Sequence, residues 1–183
     1  MQYISKKAFT LVELLIVIGI IGILAVTLMV SLNPVEAQRK ARDGQRLKDV
    51  STLQSILEQA VNDGVAICGT ICRSDSTATP TATQYSCNTN NWLGNVNVCN
   101  YARTIPGDPQ NGRTSSCSTG TGSRQSNCTM AYYVMVNGAD YEINVRQEST
   151  TNANKIGNDG GNNNYLLEMF TGSNNLVGTA QNP

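Results

Sequence analysis

The sequence predicts an α+β protein: a long N-terminal α-helix, apolar in its first half and amphipathic in its second, packed on a small C-terminal antiparallel β-sheet. Three observations lead to this fold class. Residues 9–32 form an apolar run that is broken by one charge, Glu13. Apolar residues then recur at helical spacing between Leu47 and Val61. After residue 130 the chain is rich in β-forming residues.

The apolar run is long enough to cross a bilayer, because about 20 apolar residues span the hydrocarbon core as a helix. Glu13 is costly there: roughly 2.5–3.5 kcal/mol near the bilayer centre, and less toward an end. A short basic leader, residues 1–8, precedes the run and places Glu13 at the cytoplasmic rim. Within the run, Gly19 and Gly22 fit either close helix approach and local stretching or the ordinary tolerance of glycine in membrane helices.

The segment 33–62 is predicted to continue this helix with an amphipathic pattern. Asn33 followed by Pro34 is an N-cap with a first-turn proline, so the helix is expected to restart or kink there. An Asn-Asp-Gly string at 62–64 is a stop signal. One helix over residues 10–62 is the simplest picture, with its apolar stripe covered by a β-sheet. The stripe comprises Leu47, Val50, Leu53, Ile56, Leu57, Ala60 and Val61.

Charged residues occupy much of the remaining surface of this helix. They are Arg39, Lys40, Arg42, Asp43, Lys48 and Asp49. The basic members allow a DNA- or lipid-binding patch, whereas the interleaved Asp43 and Asp49 favour a solvated helix face. The whole chain carries 13 Lys and Arg against 13 Asp and Glu, so its charge does not indicate nucleic acid as a partner.

Six cysteines follow the apolar run: Cys68, Cys72, Cys87, Cys99, Cys117 and Cys128. An even number in an exported domain predicts disulfides. Zinc is the alternative, but the spacings repeat no zinc knuckle and the chain has no histidine. The simplest pairing joins sequence neighbours: Cys68 with Cys72, Cys87 with Cys99, and Cys117 with Cys128. Disulfides would place the domain outside the cytosol.

Residues 63–129 are expected to form a disulfide-stapled loop region, because Ser, Thr, Asn and Gly are frequent and few apolar positions recur. Within it, residues 73–83 are interpreted as an exposed loop, with O-linked glycosylation as the alternative.

Residues 130–183 are expected to form the antiparallel sheet of the globular head. Strands at 132–136 and 141–145 flank a tight Asn-Gly turn. Further short strands are predicted at 165–170 and 176–177, which gives a meander of three or four strands.

The residues around the start of the apolar run carry a second signal. A secretory signal peptide has its small-residue cleavage site after the apolar core, whereas Ala8 lies before it. The string Lys-Lys-Ala-Phe-Thr-Leu-Val-Glu at 6–13 resembles the processing site of type IV pilins and major pseudopilins. This resemblance implies cleavage between Ala8 and Phe9 by a prepilin peptidase, methylation of Phe9, and retention of the apolar run. It also implies that Glu13 pairs with the N-terminal amine of a neighbouring subunit during assembly, which would offset the cost of an isolated carboxylate in lipid.

The C-terminal part resembles the same family at residues 105–109 and 154–161 and in its tyrosine-rich strand. The resemblance implies a pilin-like fold and a structural subunit of a type IV pilus-like filament, with roles in adhesion or motility. The implied precursor spans the cytoplasmic (inner) membrane once, and the assembled filament is extracellular. Implied partners are further copies of the chain, a prepilin peptidase/methylase, and the assembly platform and motor.

Two alternatives share parts of this pattern. A pseudopilin of a type II secretion or DNA-uptake machine has the same architecture. A membrane-anchored binding protein or enzyme belongs to a different class; the lack of histidine and of a Gly-x-Ser-x-Gly nucleophile turn argues against catalysis, so no catalytic residue is assigned.

The Gly-rich stretch 158–162 around Asp159 resembles a loop that binds calcium in some pseudopilins. Calcium takes six to eight oxygen ligands, so Asp108 or Asp140 would have to join Asp159. A Gly-Asn turn without metal is the other interpretation.

Overall fold

The computed structural model describes residues 9–31, 33–75, 85–94, 96–172 and 175–178. The chain divides into two compact units, Met1–Gln38 and Arg39–Pro183. The first unit contains helix α1, Leu11–Ser31, and the start of helix α2, Pro34–Asn62. The second contains the rest of α2 and the strands, which confirms the α+β fold class.

The expected restart lies at Asn33, so the helical part consists of two helices rather than one over 10–62. Asn33 adopts a left-handed backbone conformation with φ 39°. Its side-chain oxygen and its carbonyl both accept from the amide of Glu36, at 3.4 and 3.1 Å. This satisfies an amide that the first turn of α2 would otherwise leave without a partner.

Helix α2 buries its predicted apolar stripe. Val50, Leu53, Ile56, Leu57 and Ala60 lie in the main core, with Leu47 and Val61 partly buried beside them. The helix ends at Asn62 because Gly64 takes a left-handed conformation, and the amide of Val65 then donates to the carbonyl of Ala60 at 2.8 Å.

An antiparallel sheet of four strands covers this stripe, in the spatial order β1-β4-β5-β6. The strands are β1 Cys72–Arg73, β4 Tyr132–Asn137, β5 Asp140–Val145 and β6 Leu167–Phe170. Strands β4 and β5 pair from Tyr132 opposite Val145 to Asn137 opposite Asp140, with Gly138 at φ 64° in the turn. The strands predicted at 132–136 and 141–145 and the tight turn between them are therefore confirmed.

The predicted strand at 176–177 is wrong. The backbone amides of Leu176 and Val177 donate instead to one carboxylate oxygen of Glu142, at 2.6 and 2.9 Å. A carboxylate that accepts two adjacent amides replaces the partners that a strand ladder would have supplied.

The segment expected to be loops contains short strands. Besides β1, it holds β2 Thr114–Ser118 and β3 Arg124–Thr129, which form a separate two-stranded sheet. Trp92, Leu93 and Ile105 from the same segment pack into the main core. The indole of Trp92 donates to the carbonyl of Pro106 at 3.0 Å, so the polar end of this side chain is satisfied.

Candidate functional site

Helix α1 exposes its entire apolar surface. Its 21 residues include none that is buried, and Glu13 is the acidic residue of its first turn. At 1.5 Å per residue the helix is about 31 Å long, which matches a hydrocarbon core of about 30 Å. Among the described residues, α1 is the one helix that is long and apolar enough to cross a membrane.

Glu13 and Thr10 cap the start of α1 reciprocally. The amide and the hydroxyl of Thr10 donate to Oε2 of Glu13 at 2.8 and 2.7 Å. The amide of Glu13 donates back to the hydroxyl of Thr10 at 3.2 Å. This is the capping-box pattern, in which the N-cap residue and the third helical residue satisfy each other's amides. The carboxylate is thus held at the end of the apolar helix.

Phe9, which follows the predicted cleavage site, lies at the same end. Phe9 directly precedes Thr10, and its side chain is 86% exposed. Ala8 and the rest of the leader lie outside the described residues, so the cleavage between Ala8 and Phe9 stays a prediction. Methylation of Phe9 and the assembly role of Glu13 also stay predictions.

A buried charge cluster lies in the second unit, at the N-terminal end of the apolar stripe of α2. Arg46 is fully buried and donates to Asp108 through Nε and Nη2, at 2.7 and 2.9 Å. Its Nη1 donates to Asp43 at 2.8 Å and to Glu148 at 2.7 Å. Arg42 also binds Glu148, through Nε at 2.8 Å and Nη2 at 2.5 Å. Two cations and three anions therefore hold α2 against two distant segments of the head.

The ionisation of this cluster follows from its geometry. Burial by itself disfavours the charged form of Arg46, but the hydrogen bonds and charges of Asp108 and Glu148 outweigh it and raise its pKa. Burial likewise disfavours the Glu148 carboxylate, yet Arg42 and Arg46 hold its pKa below the ordinary value. Asp43 accepts the amides of Glu148 and Ser149 at 2.9 and 2.8 Å, so its remaining capacity is also used. The charged groups of the cluster are thus hydrogen-bonded to partners, which a buried ionic network requires because its charges have lost their contact with water.

Sequence reasoning missed this cluster, because it assigned Asp43 to a solvated face. Asp43 is buried, and the solvated-face interpretation is wrong at this position. A signal was present: Asp43 and Arg46 extend the helical spacing of Val50 and Leu53 toward the N-terminus. A charged pair that continues an apolar stripe indicates burial with partners from elsewhere in the chain.

Three tyrosines reach carboxylates along α2. Tyr132 donates to Asp49, Tyr141 to Glu58 and Tyr101 to Asp63, each at 2.8 Å. Burial and the neighbouring carboxylate raise the pKa of Tyr141 to about 12, so it keeps its proton as a donor. These bonds extend the attachment of α2 to the head toward its C-terminal end.

The six cysteines form three disulfides: Cys68 with Cys72, Cys87 with Cys99, and Cys117 with Cys128. These are the pairs of sequence neighbours. Each bond closes a local loop, and Cys117 and Cys128 join β2 to β3 and are fully buried.

The predicted calcium loop contains a different set of contacts. Asp159 accepts the amides of Gly161 at 2.9 Å and Glu168 at 2.8 Å. Asp108 is engaged by Arg46 in the charge cluster. In the part of the chain that the structure describes, no group of three or more acidic or cysteine side chains is placed to hold a metal ion. Calcium binding near Asp159 stays a prediction.

Comparison with known proteins identifies the N-terminal segment. The family model described as the prokaryotic N-terminal methylation motif matches residues 4–29. Neither the curated proteins nor the solved structures give a significant match to the chain. The motif and the apolar helix fit a membrane-anchored precursor that is processed by a prepilin peptidase. The chain carries, at residues 4–29, the N-terminal signature of type IV pilin and pseudopilin precursors.

Proposed function

We propose that the chain is the structural subunit of a type IV pilus-like filament. It enters the cytoplasmic membrane as a single-pass precursor, is cleaved between Ala8 and Phe9, is methylated on Phe9, and polymerises through α1. The observation that carries the proposal is that α1 buries none of its residues and has a capped carboxylate at its N-terminal end. Such a helix requires an apolar partner around it, either lipid or other copies of itself.

The transfer from lipid to filament explains why a charge is useful at position 13. Lipid tails are as apolar as the side chains of α1, so burial alone supplies little preference for other helices over lipid. A pair between the Glu13 carboxylate and the free amine of Phe9 in a neighbouring copy would supply that preference. Both hydrogen bonds from Thr10 reach Oε2, and none of the described residues donates to Oε1. This oxygen is therefore the acceptor that we assign to the neighbouring amine.

Gly19 and Gly22 support close packing of α1 in the filament. A Cβ atom placed on either residue would meet nothing within 4 Å. The isolated chain therefore gives no reason of its own for glycine at these positions. Small residues on a helix surface allow the backbones of neighbouring helices to approach closely.

The central test compares Glu13→Ala with Glu36→Ala in the organism that makes the protein. Glu36 is the acidic residue in the first turn of α2 and is a matched control for the loss of one carboxylate. Electron microscopy of sheared cells should show filaments for Glu36→Ala and their loss for Glu13→Ala. Immunoblots of the membrane fraction confirm that both precursors accumulate. Filaments of unchanged number and length in Glu13→Ala would refute the proposal.

Processing has a separate test. Mass spectrometry of the chain recovered from filaments should find an N-terminal peptide that begins at methylated Phe9. A mature chain that begins at Met1 would contradict the peptidase assignment, whatever the filament phenotype.

We assign no catalytic residue to the chain, and its proposed partners are further copies of itself, the prepilin peptidase/methylase, and the platform and motor of the assembly machine. The processing motif is shared with pseudopilins of secretion and DNA-uptake machines. A strain that lacks the chain distinguishes them: loss of long surface filaments with normal protein export and DNA uptake supports the pilus, and the reverse supports a pseudopilus.

A further inference from the structure

A polar cavity lies at the tip of the β2–β3 hairpin, beside the segment that leads into β6. Its volume is about 460 Å³, within the range of about 300–1,000 Å³ in which proteins hold small ligands. The hairpin contributes Thr119, Thr121, Ser123, Arg124 and Gln125, and the opposite wall contributes Asn164 and Tyr165. The cavity lies within the second unit, and the proposed assembly step makes no use of it.

The two walls of the cavity are fixed to each other. The amide of Gly120 donates to the carbonyl of Asn164 at 2.7 Å, and the amide of Ser118 donates to the carbonyl of Gln147 at 2.7 Å. A Cβ atom on Gly120 would lie 2.9 Å from the Cα atom of Gly157, so only glycine permits this approach. The disulfide between Cys117 and Cys128 joins the strands below the tip. The cavity therefore exists before any ligand arrives, which lowers the entropic cost of binding.

Apart from Arg124, the polar side chains that line the cavity carry hydroxyls and amides, which both donate and accept hydrogen bonds. The hydroxyls of Thr119 and Thr121 lie 2.9 Å apart, and that of Thr121 lies 3.4 Å from the hydroxyl of Ser123. The amide oxygen of Gln125 is buried, and no described residue donates to it. No carboxylate is present among the lining residues, so a ligand meets no negative charge there.

Tyr165 adds a different kind of surface. Its ring is half-buried at the edge of the cavity and offers an apolar face beside the polar groups. A ligand that suits both walls needs many hydroxyls around its edge and an apolar face of C–H bonds. A fully apolar ligand would offer no donor to the buried amide oxygen of Gln125. A multiply charged phosphate would find one cation, Arg124, among the lining residues.

We infer that this cavity binds a sugar unit of a glycan. The C–H face of the sugar ring lies on Tyr165, and the ring hydroxyls exchange hydrogen bonds with Thr121 and Gln125. This inference concerns the head alone and is independent of how α1 assembles.

Saturation-transfer NMR tests the inference on the full-length chain in amine-oxide detergent micelles, which carry no sugar headgroups. The probes are the methyl glycosides of glucose, galactose, N-acetylglucosamine and glucuronic acid. Transfer to the ring protons of at least one probe is expected. Tyr165→Ala and Thr121→Val should each weaken its binding at least tenfold, whereas Tyr101→Ala, which removes a tyrosine on the α2 side of the head, should leave it unchanged. Melting curves establish that each variant is folded.

Three results would overturn the inference. The first is no transfer to any of the four probes at millimolar concentration. The second is binding that Tyr165→Ala and Thr121→Val leave intact. The third is binding that only glucuronic acid shows and only Arg124→Gln removes, because this would be recognition of a carboxylate and not of a sugar ring.

Discussion

Arg46 on α2 and Asp108 in the head form a two-point ion pair from which water is excluded, with nitrogen–oxygen distances of 2.7 and 2.9 Å. Arg46 also binds Glu148, which Arg42 contacts in turn. The cluster and the tyrosine–carboxylate bonds therefore attach α2 to the rest of its unit through polar contacts.

Replacing Arg46 should cost more stability than any single surface change on α2. Arg46→Ala leaves Asp108 and Asp43 buried without their cation, and removing one partner of a buried ion pair typically costs about 3–5 kcal/mol. Thermal unfolding of the full chain in micelles, followed by Trp92 fluorescence, measures this loss. Lys48→Ala, on the exposed side of the same helix, should change stability by no more than about 0.5 kcal/mol. Equal melting curves for the two variants would mean that the cluster contributes nothing.

The tyrosine–carboxylate bonds should differ in strength according to burial. Tyr132 is fully buried, so Tyr132→Phe removes its bond to Asp49 and leaves that carboxylate short of a donor, at a cost of about 1–3 kcal/mol. Tyr101→Phe removes a bond of the same length to Asp63 in a more exposed place and should cost clearly less. Urea denaturation of both variants gives the comparison, and a larger loss for Tyr101→Phe would contradict it.

The apolar half of this architecture could be read from the sequence, because it depends on local patterns. Val50 to Ala60 carry a helical period, and the strands around Gly138 carry a turn signal and β-forming residues. The run at 9–32 and the string around Glu13 also allowed the apolar helix and the N-terminal methylation motif to be predicted. Each of these signals lies within a short stretch of chain, so no distant partner was needed to interpret it.

The polar half could not be read in this way, because its partners are distant. Asp108 and Glu148 give no local sign that they meet Arg46, and charged residues are ordinarily assigned to the surface. Apart from Cys117, Arg124 and Cys128, strands β2 and β3 consist of Ser, Thr, Asn and Gln, so they lack the alternation that predicts a strand. Leu176 and Val177 are residue types that are common in strands, but their backbone amides donate to the carboxylate of Glu142 instead of to a neighbouring strand.

Glu168 should make the head less stable as the pH rises. Burial, with the nearby carboxylates of Glu142 and Asp159, raises its pKa from 4.5 to about 7. The folded state therefore keeps a proton that the unfolded state loses, and the stabilisation is complete below pH 4.5 and disappears as the pH passes 7. Glu168→Gln imitates the protonated form, so its melting temperature relative to wild type should rise between pH 5 and pH 8.

The effect of pH on the stability contributed by Glu148 should have the opposite sign to that of Glu168. The folded pKa of Glu148 is lowered, so its contribution is present above its unfolded pKa and is lost as the pH falls through the folded value. Glu148→Gln should therefore destabilise the head most at neutral pH and least in acid. If the two variants show the same pH trend relative to wild type, the assignment of opposite shifts is incorrect.

The disulfide between Cys87 and Cys99 should open before the one between Cys117 and Cys128, because it is more exposed. Cys117 and Cys128 are fully buried, whereas Cys99 is exposed and Cys87 is half-buried. Thiol–disulfide exchange requires a thiolate to reach one of the sulfur atoms, so an accessible pair reacts first. Mild reduction of the folded chain, followed by alkylation and peptide mass spectrometry, should label Cys87 and Cys99 before Cys117 and Cys128. Labelling in the reverse order would show that local opening, and not exposure in the folded state, controls the reaction.

The double variant Cys117→Ser/Cys128→Ser should lose about 2–4 kcal/mol of stability, as is typical when a disulfide is removed. It also removes buried apolar contacts with Met130. Cys87→Ser/Cys99→Ser is the matched comparison and should lose less, since Cys99 is exposed and Cys87 is only half-buried.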